Sequence, residues 1–353
     1  MKMHPIQTLS GVLFALASLC IAQVDRSPKN ASAVVLQAFE THDVVMLGEI
    51  HWNKQEYEWL QSLVANPEFA DRVDDVVMEF GNSLYQKSVD RYIAGEAVPI
   101  EEVQRAWRNT LGLGDPPPIY GDLYKTIRET NMRRRGKHQM RVLCGDPYID
   151  WDKVKTKDDI GPFLGHRDQW YARVVKDEVL AKHHRAFLIA GSAHFLRQRG
   201  NGYIEPELRR AGAKTFLILA GTNAVKGYDD LDHRFDRWPT PSIALLSGNW
   251  VGELRAIPVI SGGTEGIDSY LKLKDAADAL LYLGPRDSLI AVEAVREEVD
   301  GTAYGKELLR RMTILGFNLP YIPERKESPQ FDPPEPAYPR TMDVPLPPRP
   351  PSQ

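Results

Sequence analysis

Several stretches of this chain are apolar at every position and end at a glycine or an acid. Val44-Val45-Met46-Leu47 runs into Gly48-Glu49-Ile50-His51, and Phe187-Leu188-Ile189-Ala190 runs into Gly191-Ser192-Ala193-His194. Val76-Val77-Met78 stops at Glu79, and Val142-Leu143-Cys144 stops at Gly145-Asp146-Pro147. Short runs of this kind, without polar alternation, predict strands buried on both faces of a parallel sheet. Between them, residues 31–40, 55–64, 168–182 and 205–211 carry apolar positions at helical spacing. In the second of these, Tyr57, Leu60, Leu63 and Val64 share one face. Strands are expected again at 215–219 and 278–284, and a closing helix within 297–315 that Gly316 can cap. Strand, helix, strand in repetition predicts right-handed crossovers and a three-layer α/β/α sandwich with a mostly parallel sheet.

Two stretches break the alternation. Residues 83–140 read as helical at 85–93, 100–111 and 120–135, interrupted by the Gly- and Pro-rich 112–118. They predict a helical insertion that walls or covers the strand ends. Residues 221–274 are rich in Gly, Pro and Asp and yield no readable element.

The ends are of different material. Lys2 followed by the apolar 9–21 reads as a signal peptide too short for a membrane span, with Cys20-Ile21-Ala22 a small-x-small cleavage site before Gln23. Lipidation at Cys20 is disfavoured by the bulky Leu19. The expectation is an exported chain, periplasmic or secreted, with no stable membrane span after cleavage. From 319 to 353 prolines dominate, which predicts an extended, disordered tail outside a folded domain of 23–318. After cleavage at residue 22, Cys144 is the one remaining cysteine, in an apolar run that makes it a core thiol and excludes an internal disulfide. With 44 Lys and Arg against 48 Asp and Glu, a net charge of -4 gives no electrostatic case for nucleic acid. The run Arg133-Arg134-Arg135 with Lys137 reads as a solvated helix end, and His42, His138, His166, His183, His184 and His233 as surface residues.

Candidate chemistry follows from topology. Parallel strands deliver their C-terminal ends to one edge, so Glu49, His51, Glu79, Asp146 and His194 are expected to converge. Imidazoles and carboxylates together suit a divalent Mn, Co, Zn or Fe ion, with Glu49, His51, Glu79 and His194 as ligands and an open position for water. Without metal, a carboxylate can orient a histidine that takes a proton from water. Asp146, ahead of a proline, is either a turn residue or the group that orients a histidine. No phosphate-binding loop, nucleophile elbow or His-Glu-x-x-His helix is present.

These same motifs carry a resemblance. Leu47-Gly48-Glu49-Ile50-His51, Val77-Met78-Glu79-Phe80 with Gln86 and Tyr92-Ile93-Ala94-Gly95, Arg167-Asp168 at a helix start, and Ala190-Gly191-Ser192-Ala193-His194 resemble the superfamily that joins erythromycin esterases, ChaN-like haem-binding uptake proteins and TIKI/TraB proteins. The ChaN-like branch looks most similar, over about residues 34–199. The family's Glu, His, Glu and His would fall on Glu49, His51, Glu79 and His194. ChaN-like chains commonly carry a further histidine pair in the next helix, where this chain has Glu56 and Tyr57. The resemblance implies a hydrolase of esters, lactones or amides acting on a small molecule or peptide. It equally allows a non-catalytic haem-binding protein, for which Tyr57, Tyr85 and Tyr171 are candidate axial ligands. A cell-envelope interaction protein using the proline-rich tail, with a vestigial site, is the third reading.

Overall fold

In the computed structural model, residues 27–316 are described, apart from 112–115, 196, 198–203, 222–233, 236 and 256–270. The N-terminal apolar segment, the proline-rich tail and His233 therefore lie outside the described residues, as does much of 221–274.

The apolar runs become strands. The short β1 (Lys29–Asn30) precedes helix α1 (Ala31–Ala38), β2 (Val44–Glu49), α2 (Lys54–Ala65), α3 (Pro67–Arg72) and β3 (Asp75–Asn82). Helices α4 (Gln86–Ile93), α5 (Ile100–Arg108) and α6 (Ile119–Arg133) fill the interval before β4 (Arg141–Asp146). Then come α7 (Lys157–Leu164), α8 (Arg167–Glu178), β5 (Ala186–Gly191), α9 (Ile204–Arg210), β6 (Thr215–Ala220), β7 (Ser242–Leu245) and β8 (Ala279–Tyr282). The eight strands form one sheet in the order β1-β7-β8-β6-β2-β5-β3-β4. From β8 to β4 every pairing is parallel, and β7 and β1 add antiparallel strands at one edge. This is the expected α/β fold.

Strand parity sorts the core into two layers. Val45, Leu47, Met78, Phe187 and Ile189 pack on the side of α1 to α6, while Val44, Met46, Val77, Leu188 and Ala190 pack on the side of α8 and α9. Both faces of each central strand are therefore covered, which is why these runs show no alternation. The helices between β3 and β4 belong to the first layer: Tyr120, Leu123, Tyr124 and Ile127 of α6 are fully buried there. Among the described residues no helix is long and apolar enough to cross a membrane.

Several local expectations are corrected. Strand β7 and helices α3 and α7 were not expected, the first because it lies in the Gly- and Pro-rich region. The closing helix begins at Ala303, with the Thr302 hydroxyl on the Gly305 N–H, and Gly316 ends it at φ 87° as foreseen. Arg134 is not solvated but turns inward, 9 % exposed, and pairs with Asp71. His166 is buried at the start of α8, and His184 pairs at 2.9 Å with the buried Asp75. Cys144 is buried as expected, and burial pushes its thiol far above the usual range.

Strand β4 closes the other edge of the sheet, and its backbone is satisfied by a side chain. The Cys144 N–H donates to Gln86 Oε1 at 2.7 Å, and Gln86 Nε2 donates to the Val142 carbonyl at 2.8 Å. One amide thus stands in for a neighbouring strand at an edge otherwise open to pairing.

Candidate functional site

The C-terminal ends of β2, β5 and β3 lie side by side, with β5 in the middle. Chain order reverses there: β4 lies beyond β3, and the chain returns to insert β5 between β2 and β3, the kind of switch point that opens a crevice. Glu49 has the parity of Val45 and Leu47, so it faces the α2 layer. Glu79 has the parity of Val77 and faces the α8 layer. They meet because Gly191, paired with Glu49 in register, has no side chain between them. A Cβ there would lie 2.8 Å from His51 Nε2 and 3.5 Å from Glu79 Oε2. This is the physical reason for the glycine in Gly-x-x-His.

Glu49 is buried and holds two donors. His51 Nδ1 lies 2.8 Å from Oε1, and the Tyr57 hydroxyl of α2 donates to Oε2. A carboxylate can only accept, so Nδ1 carries the proton and Nε2 is left as the basic nitrogen of the neutral ring. The His51 side chain is 43 % exposed, and its ring meets the Phe80 ring edge-on at 5.5 Å. Desolvation opposes its protonation, but the Glu49 hydrogen bond and the Glu79 charge outweigh it and raise its pKa. Solvent at the open edge screens these charges. Trp52, directly after His51, has φ 67°, a left-handed conformation rare for an aromatic residue. A second segment holds that turn: the Lys54 N–H donates to the Ile290 carbonyl and the Val292 N–H to the Trp52 carbonyl, both at 2.8 Å.

Glu79 lies on the other side of the gap. Its Oε2 accepts from the Gly191 N–H at 2.6 Å, and Oε1 lies 3.1 Å from Arg167 and 3.3 Å from His194 Nε2. Burial works against its charge, yet His194 and Arg167 hold its pKa well below the usual range. His194 Nδ1 lies 2.5 Å from Asp168 Oδ1. With a carboxylate at each nitrogen, the ring satisfies both as an imidazolium. Despite the desolvation penalty, Glu79 and Asp168 raise its pKa to about 9. Arg167 and Asp168 both come from the first turn of α8, where an acid is also favoured by the helix dipole.

Four of the five expected residues thus converge: Glu49, His51, Glu79 and His194. Asp146 is placed nearby with a different partner, which corrects its expected role. Its Oδ1 accepts from Arg167 Nε at 2.7 Å and from the Tyr171 hydroxyl at 2.8 Å, and its Oδ2 accepts from the Leu111 N–H at 2.5 Å. Asp146 therefore orients the arginine, and Asp168 orients the histidine. Burial keeps the Asp146 carboxyl above its ordinary range in spite of Arg167. Sequence reasoning quoted Arg167-Asp168 only as a helix-opening piece of the resemblance and gave neither residue a role in the site.

As a metal donor set, Glu49, His51 and Glu79 each bring one ligand atom to within 4.8 Å of the others. The types, one imidazole and two carboxylates, fit a divalent ion. His194 is not in that cluster; it touches it through Glu79. The fit has a competitor: the oxygens of both carboxylates already face protein donors, one of them the fixed charge of Arg167. The tyrosines considered as haem ligands are engaged as well. Tyr57 donates to Glu49, Tyr171 donates to Asp146, and the Tyr85 hydroxyl accepts from Asn109 at 2.7 Å, all three buried.

No family model matches this sequence, and neither does any curated protein. Solved structures with a similar fold include an erythromycin esterase mutant, EreC, in its open conformation (11 % identity, TM-score 0.46, 74 % of this chain and 94 % of that one). Others are the type III effector HopBA1 (10 %, 0.43, 75 % and 99 %) and ChaN of Campylobacter jejuni with cofacially bound haem (11 %, 0.36, 70 % and 90 %). At this level of likeness none of them bears on activity.

Proposed function

We propose that this protein is a hydrolase of ester, lactone or amide bonds in which His51 activates water. The observation that supports it is the open imidazole of His51, held at Nδ1 by a buried carboxylate and facing Glu79 across the Gly191 gap. Nε2 takes a proton from water as the oxygen adds to the carbonyl carbon. As the C–O or C–N bond breaks, the His194 imidazolium passes its Nε2 proton to the leaving atom, and the proton on His51 restores the resting charge through solvent. Glu49 and Asp168 hold the two rings, and Glu79 with Arg167 fixes the charge between them. A divalent ion held by Glu49, His51 and Glu79 would lower the pKa of a bound water and polarise the carbonyl. On the strength of the N-terminal apolar segment, we place the reaction outside the cytoplasm.

The test is hydrolysis of p-nitrophenyl acetate, a macrocyclic lactone and a peptide library by purified protein, with and without a chelator. His51→Ala and His194→Ala should each lower kcat/KM by about 10²- to 10⁴-fold, the scale of a lost acid or base. Full activity in both variants would refute the proposal. Loss on chelation that a divalent ion restores would assign water activation to the metal. With its tyrosines engaged, the haem reading draws no support from the site.

A further inference from the structure

A groove of about 220 Å³ lies between α5 and α6, lined also by Tyr92 of α4, and shares no residue with the site above. Its apolar lining is Tyr92, Ile100, Trp107 and Pro118, of which Ile100 is 44 % exposed and Pro118 is exposed too. Gly121, a poor helix former inside α6, belongs where a Cβ would stand 2.9 Å from the Trp107 ring. Two features of the lining are polar. Gln104 gives its Oε1 to Arg108 at 3.2 Å, which leaves its NH₂ group to donate elsewhere. The charges are cationic on balance, Arg108 and Lys125 against Asp122, and Lys125 is exposed and forms no ion pair among the described residues.

The closing helix ends close to this groove. Its Arg311 donates to the Arg108 carbonyl at 2.9 Å, the Arg108 guanidinium lies 4.8 Å from the Tyr304 ring centroid, and Leu315 packs in one cluster with Leu111. Beyond Gly316, residues 317–330 can reach at most about 50 Å. They lead to Asp332-Pro333-Pro334-Glu335-Pro336-Ala337-Tyr338-Pro339. A polyproline helix has three residues per turn, so Pro333, Pro336 and Pro339 would share one edge of it and Asp332 and Glu335 the next. Such a helix has no internal hydrogen bonds, so its carbonyls need outside donors.

We propose that the groove binds this segment, residues 332–339 of the same chain, as a polyproline helix. The proline edge lies on Tyr92, Ile100 and Trp107, the acidic edge faces Lys125, and Gln104 donates to a backbone carbonyl. Aromatic-lined grooves take Pro-x-x-Pro segments in this way because such a segment is extended before it binds and loses little entropy. A tether supplies an effective concentration of order millimolar, so modest affinity suffices. The inference is independent of the hydrolase reading.

Zero-length carbodiimide cross-linking of the full chain, read by peptide mass spectrometry, tests it. Lys125 should join to Asp332 or Glu335 far more often than to Asp343, which shares the tether but lies beyond the segment. In an equal mixture of unlabelled and nitrogen-15-labelled chains, the joined peptides should carry a single label. Replacing Pro333, Pro336 and Pro339 together by alanine keeps every charge and should remove most of the link. Ile100→Asp, at the exposed start of α5 where an acid suits the helix terminus, should do the same and leave the unfolding midpoint unchanged. No link to Asp332 or Glu335, equal linking of Asp343, or a link that survives the triple replacement would each overturn the proposal. Links of mixed label would overturn it as well, by assigning the groove to the tail of a second copy.

Discussion

Gly191 decides whether the two halves of the site can meet, because His51 and Glu79 occupy the space a side chain would take. Gly191→Ala would set a Cβ 2.8 Å from the imidazole, and either the ring or the strand must move. We expect a loss of about 1–3 kcal/mol in urea unfolding, as for other overpacked sites, and a fall in kcat/KM larger than in Gly165→Ala, whose added Cβ would find its nearest neighbour at 3.6 Å. Asp168 makes a sharper case. His194 is held near pKa 9 by Glu79 and Asp168, so in chelator-treated protein its ring should titrate near 9 by NMR. Asp168→Asn should move that titration, and the alkaline limb of kcat/KM, towards acid; an unchanged titration would remove Asp168 from its role. The sign for stability follows. A histidine with a raised folded pKa stabilises fully below its unfolded value of about 6.5, and that contribution is lost as pH rises through 9. Urea midpoints should therefore fall between pH 6.5 and 9.5 in wild type and less steeply in His194→Gln. The sequence announced His51 and His194 because each follows a strand and a glycine. It showed Arg167-Asp168 as a motif at a helix start but not their role, because a charged pair in the first turn of a helix looks the same whether it caps that helix or reaches a strand end 88 residues away, as Arg167 does to Glu79.

Elements were legible in proportion to how fully both faces are covered. Strands β2, β3, β4, β5 and β6 are uninterrupted apolar runs because helices lie above and below them, and that cause can be read directly from the residues. Strand β7, only four residues long and antiparallel at the sheet margin, is embedded among Gly, Pro and Asp and leaves no such trace. The β4 edge was a different kind of omission: the pattern predicts a strand but not which strand ends the sheet. Gln86 supplies that information, since its amide occupies the ladder positions a further strand would use. Replacing it by leucine would leave the Cys144 N–H and the Val142 carbonyl without their partner, at a cost of about 1–3 kcal/mol for a buried group. Gln86→Leu should lower the urea midpoint accordingly and speed amide exchange at Cys144; unchanged exchange there would show that the edge is satisfied in some other way.

At the scale of the whole molecule, the last helix is tied to the site through a chain of buried polar contacts. Arg311, 7 % exposed, donates to the Arg108 carbonyl at 2.9 Å and to Asn109 Oδ1 at 2.8 Å, and its guanidinium lies 4.8 Å from the Trp151 ring centroid. The Asn109 carbonyl in turn accepts from Asn82 at 2.7 Å and from Trp151 at 3.0 Å, and Leu111, two residues on, donates its N–H to Asp146. Residues 109–111 thus form a strap across the ends of β3 and β4, pressed down by a helix almost 200 residues later. A sequence cannot disclose such a strap, because no periodicity links 109–111 to 311. Arg311→Met keeps much of the apolar volume but leaves three oxygens without their cationic donor, since Arg311 Nε also donates to Glu307 Oε1 at 2.8 Å. It should cost about 2–4 kcal/mol in urea unfolding, the scale of a broken buried charged contact. Glu79 and Asp168 do not depend on the strap, so the His194 titration in the same variant should stay near 9. A shift of that titration together with the stability loss would mean that the strap positions Arg167 through Asp146, and that the charges of the site depend on the helix at Ala303–Leu315.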